Sequence, residues 1–83
     1  MAKEWNNDAK ELFDKVIGNL PQFHRSIAQV LVKETAEDLS GEQPVTKANL
    51  IRAFFKEVPP AFKDMMTRLF DQLKIDYAQY INE

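Results

Sequence analysis

Apolar residues recur at intervals of three and four along this chain, and the pattern is interrupted at Gly18-Asn19, Ser40-Gly41 and Pro59-Pro60. A repeat near 3.6 residues places apolar side chains on one face of an α-helix. Glycine and proline at the interruptions end one helix and begin the next. The pattern predicts an all-α fold: a compact bundle of three to four helices around a long central helix.

The first helix is expected over residues 5–17, with Trp5, Ala9, Leu12, Phe13, Val16 and Ile17 in one stripe. Asp8 and Glu11 have capping-box spacing, and Gly18-Asn19 is expected to close the helix with a left-handed residue. Pro21 suits the first turn of the second helix, which runs to about Leu39. Phe23, Ile27, Val30 and Leu31 form one apolar track on it, and Ala28, Val32, Ala36 and Leu39 form another. Together they cover more than half the circumference, so this helix is expected to be packed on several sides, with Ile27 and Leu31 facing inward. Thr46 is a good N-cap for a third helix over 47–57. Residues 59–83 add a C-terminal helix, carrying Phe62, Met65, Met66, Leu69, Phe70 and Leu73 and continuing through Tyr77 and Tyr80 to Ile81.

Eighty-three residues make a single domain, 1–83. Cysteine is absent and there is one histidine. This excludes disulfides, thiolate-held clusters and thiol catalysis and leaves no usual transition-metal cluster; no metal site and no cofactor are expected. The net charge of -2 does not favour phosphate binding, so a nucleic-acid-binding module is the weakest functional alternative. No apolar run is long enough for a membrane span. The polar N-terminus lacks a signal-like core, and a cytoplasmic location is the expectation.

No catalytic constellation stands out. His24 has no nucleophile or orienting group at a telling spacing and reads as a surface or partner-contacting residue. Trp5 is expected to cover a core edge or to meet a partner chain. Met65 and Met66, with Phe62 and Phe70, form a soft aromatic stripe, read either as core packing or as an adaptable surface of the kind that lines binding grooves, which Tyr77, Tyr80 and Ile81 extend. Lys33, Lys47, Arg52 and Lys56 read as solvated charges, with an anionic-ligand site near the turn between the second and third helices as the alternative.

The matching residues Trp5, Ala9, Leu12, Val16, Leu20-Pro21-Gln22-Phe23-His24-Arg25, Val32, Glu34, Ala36, Gly41, Val45-Thr46 and Leu50 carry a resemblance. The stretch from Trp5 to about Phe55 resembles a small helical domain at the C-terminus of the B subunit of light-independent protochlorophyllide reductase, a domain that also occurs in free-standing proteins. Where that pattern has alanine, this chain has Glu37. The resemblance implies an oxidoreductase-associated domain that docks on a protein or lies near a tetrapyrrole path. The iron–sulfur ligands of the full enzyme belong to other domains, so no catalytic role is inherited.

The functional expectation is a non-catalytic accessory or protein-interaction domain, with a protein partner or self-association. The alternative is a subunit of a tetrapyrrole reductase-like complex. Candidate contact residues are Trp5, Phe23, His24, Arg25, Phe62, Met65, Met66, Tyr77 and Tyr80.

Overall fold

The computed structural model describes residues 4–81. It is an all-α bundle of helices α1 (Asn7–Gly18), α2 (Gln22–Ser40), α3 (Lys47–Glu57), α4 (Lys63–Gln72) and α5 (Ala78–Ile81), with a 3-10 turn at Pro60–Phe62. Among the described residues, no helix is long and apolar enough to cross a membrane.

Local chemistry explains most boundaries. Thr46 caps α3, its Oγ1 accepting from the Asn49 N–H at 3.2 Å. α3 stops at Glu57 because Pro59 pushes Val58 out of the helical region, to φ -71 and ψ 130. α2 ends at Gly41, whose φ of 59 is a conformation that side chains bearing a Cβ rarely adopt. Pro21 sits one residue ahead of α2 rather than in its first turn. Its carbonyl accepts from the N–H groups of His24 and Arg25.

Three further boundaries differ from the sequence reading. α1 is preceded by Asn6, without a side-chain cap, while Asp8 Oδ1 accepts from the neighbouring Ala9 N–H. Its end needs no left-handed residue: Asn19 has φ -99, and its side-chain amide donates to the Lys15 carbonyl at 2.7 Å. The C-terminal stretch is not one helix. Its last helical turns are separated from α4 at Lys74, a non-glycine residue with φ 57. There the Ile75 N–H donates to the Phe70 carbonyl and the Lys74 N–H to the Asp71 carbonyl. This pair of bonds is a Schellman motif, which satisfies the last carbonyls of α4 and turns the chain back. Ile75 and Phe70 are both buried and supply its apolar contact.

α3 is the most enclosed helix: it packs against α1, α2 and α5, and Leu50, Ile51, Ala53 and Phe54 on it are buried. The N-terminal segment is tied to the loop before α3 by a parallel bridge, with Asn6 N–H donating to the Val45 carbonyl and Val45 N–H to the Glu4 carbonyl. A polar ladder joins the ends of α2, α3 and α5. Asn49 Nδ2 donates to Ser40 Oγ, Arg52 Nη1 to Asn49 Oδ1, and Arg52 Nε to the Tyr80 carbonyl.

The inward placement of Ile27 and Leu31 expected from the spacing is corrected by the structure. α2 reaches the core through Val32, Ala36 and Ser40, while Phe23, Ile27, Val30, Leu31 and Leu39 are exposed. The physical reason is size. α2 lies along α3 on its track of smaller residues, where backbones approach closely, and the track of larger side chains is turned away.

Candidate functional site

The exposed track forms a row on one face of α2. Phe23, Ile27, Val30 and Leu31 are 75%, 61%, 57% and 40% exposed. Their spacing of four, three and one keeps them on adjacent turns of one face. Apolar surface gathered in this way is unlike the scattered apolar residues of an ordinary protein surface.

Beside the row runs a groove between α2 and the α3–α4 connection, with a volume of about 220 Å³. Ile27 and Leu31 form its α2 wall, with His24 and Ala28, and Phe62, Met65 and Met66 form the opposite side. Ile27 and Leu31 therefore belong to both row and groove. Its polar lining residues are His24 and Glu57. The His24 ring lies 4.0 Å from the Phe23 ring and 4.9 Å from the Phe62 ring, centroid to centroid. Aromatic neighbours hold the imidazole, which suits a contact surface.

The nine candidate residues separate into groups. Phe23, His24, Phe62, Met65 and Met66 come together at the row and groove. Met66 is buried, whereas Met65 and Phe62 are half-buried. Arg25 is adjacent in sequence but occupied elsewhere. Its Nη2 donates to the carbonyls of Gly18 at 3.3 Å and Leu20 at 3.1 Å, which closes the α1–α2 turn. Its buried Nε has no hydrogen-bond partner.

Trp5 lies apart from the groove. Its ring meets Phe13 edge-on at 5.2 Å, and its Nε1 donates to Glu37 Oε2 at 3.0 Å. It acts as a clasp over the core edge. Tyr77 stacks on Phe55 at 5.2 Å and meets Phe70 edge-on at 5.9 Å. Tyr80 contributes its carbonyl to Arg52. These tyrosines belong to the packing of the C-terminal turn, and the side chain of Ile81 lies outside the described residues.

The alternative of one cation cluster is corrected, because these cations are divided. Lys33 borders a hollow with Phe13, Glu34 and Glu37, while Arg52 and Lys56 border another with Leu39 and Tyr80. No group of three or more metal-ligating side chains occurs among the described residues. The sequence reading turned Ile27 and Leu31 inward and did not single out Val30, so all three were missed as surface residues. Their period was visible, but which of two apolar tracks faces the body depends on the packing of α3. Comparison with family models, with curated proteins and with solved structures gave no match for this chain.

Proposed function

We propose that this chain is a non-catalytic protein-interaction module that docks through α2. The observation that carries the reading is the row Phe23–Ile27–Val30–Leu31, large apolar side chains on adjacent turns of one helix and open to solvent. Burying such a face against another helix releases water from apolar surface and is a common recognition mode. The adjoining groove, with Met65 at its edge, gives the face a depression that an incoming side chain can fill. Met adapts to such occupants by rotating about its unbranched chain.

The test is a photo-crosslinking amino acid placed at Ile27 and, as a control, at exposed Lys10 on α1, in the intact chain expressed in its native host. The module reading expects a discrete crosslinked protein from position 27 and none from position 10. Absence of any crosslinked product from position 27 contradicts it.

A second reading is membership of a tetrapyrrole reductase-like complex. One observation favours it: of the motif residues Pro21, Phe23 and Arg25 that carry the resemblance, Phe23 lies on the exposed row. In that reading Phe23 is the contact and Arg25 fixes the turn that presents it. A crosslinked partner from position 27 that carries a tetrapyrrole absorption band supports this version, and a colourless partner contradicts it.

A further inference from the structure

We infer that the partner of the α2 face is a basic amphipathic helix of another protein, with apolar side chains at one end of its contacting face and lysine or arginine at the other. This rests on the docking reading above and names the partner's chemistry. The observation that carries it is the layout of charge along the face that bears the row.

That face does not stop at Leu31. On a helix that turns roughly 100° per residue, Glu34 and Asp38 fall within about 20° of Ile27, and both are exposed. One face of α2 therefore reads Phe23, Ile27, Val30, Leu31, Glu34, Asp38, apolar toward its N-terminus and acidic toward its C-terminus. Glu57 is one of the two polar residues that line the adjoining groove, and no lysine or arginine lines it. Among the described residues, the carboxylates of Glu34, Asp38 and Glu57 have no hydrogen-bond or ion-pair partner. The two cations of α2 lie off this face. Arg25 is turned back to the Gly18 and Leu20 carbonyls. Lys33 sits about 120° around the helix from Ile27, beside the hollow at Phe13.

The helix dipole adds to the pattern. The last turn of α2 carries no basic residue, so the negative end of the dipole coincides with Asp38. A cation placed there is attracted by both. An occupant that complements the whole face buries apolar side chains over the row. It also sets positive charge about 5–10 Å farther along the axis from Leu31, over Glu34 and Asp38. A helix does both, since the face from Phe23 to Asp38 runs about 22 Å, or roughly four turns. A second copy of this face brings no lysine or arginine to the acidic half. Anionic lipid surfaces and nucleic acids set like charge against it.

Fluorescence anisotropy of labelled synthetic helices, titrated with the whole chain, tests the inference. The probes are about 18 residues long, with leucine at one end of a face and lysine at the other end of the same face, made in both chain directions. Their counterparts carry glutamate in place of lysine. The expected result is saturable binding of a lysine peptide at about tens of micromolar or tighter, with its glutamate counterpart about tenfold weaker or more. Ile27→Glu should weaken the lysine peptide about tenfold or more. The double variant Glu34→Lys/Asp38→Lys should reverse the preference. Glu11→Lys/Asp71→Lys, an equal change of charge at exposed positions of α1 and α4, should leave it in place. Cooperative melting of each variant shows that it is folded. Equal binding of the lysine and glutamate peptides, or an equal effect of the two double variants, overturns the basic partner. The docking reading still stands in that case if Ile27→Glu removes the binding. No saturation by any peptide up to about 1 mM also overturns the inference, and the docking reading is then decided by the crosslink from position 27.

Discussion

The Trp5 indole donates from Nε1 to Glu37 Oε2 at 3.0 Å, across thirty-two positions of sequence. The bond fastens the N-terminal segment to one flank of α2, while the edge contact with Phe13 covers the core beneath. Trp5→Phe keeps most of the ring and removes the donor. It is expected to cost about 1 kcal/mol, whereas Trp5→Ala should cost about 2–4 kcal/mol through lost packing at this half-buried site. Denaturant melts of the two variants check the order. Equal losses would mean that the ring contributes nothing beyond its hydrogen bond.

Lys74 holds the left-handed position of the Schellman motif after α4, with φ 57. A Cβ is disfavoured there. Lys74→Gly is therefore expected to stabilise the chain by about 0.5–1 kcal/mol, a rise that thermal melting detects. A destabilisation would contradict the turn geometry. Gly41, with φ 59 and open space around its Cβ position, should behave in the opposite way. Gly41→Ala is expected to cost about 1–2 kcal/mol from the backbone alone.

Arg25 closes the α1–α2 turn through the Gly18 and Leu20 carbonyls. Arg25→Ala is expected to lower stability by about 1 kcal/mol, measured by urea unfolding. If Arg25 acted only as a partner contact, stability would stay constant.

Asp38 lies in the last turn of α2 and is exposed. Asp38→Lys places a cation at the helix C-terminus and should stabilise the monomer by about 0.3–1 kcal/mol. A thermal melt checks the gain, and a loss of stability would contradict the dipole argument.

Much of the fold was legible in the chain itself. Thr46 marked the start of α3, Pro59 its end and Gly41 the end of α2, because each acts through local backbone chemistry. The break at Lys74 was not legible, since a left-handed residue is signalled by glycine or asparagine and here is a lysine. The candidate site was half legible. Phe23, His24, Phe62, Met65 and Met66 were visible as an apolar and aromatic set, and they converge. The role of Ile27, Val30 and Leu31 was hidden because α2 carries two apolar tracks of equal period. Only the close approach of α3 to Val32 and Ala36 decides which track is buried. Trp5, Tyr77 and Tyr80 have the ring chemistry of contact residues, but neighbours distant in sequence claim them for packing.

The central claim is that α2 turns Ile27 to solvent while α3 buries Ile51. Its most direct test is denaturant unfolding of Ile27→Glu and Ile51→Glu at low protein concentration. Ile27→Glu is expected to change stability by less than about 0.5 kcal/mol, as a surface substitution does. Ile51→Glu should lose more than about 4 kcal/mol or fail to fold, because it buries a carboxylate without a partner. A loss of several kcal/mol for Ile27→Glu would place Ile27 in the core and contradict the account.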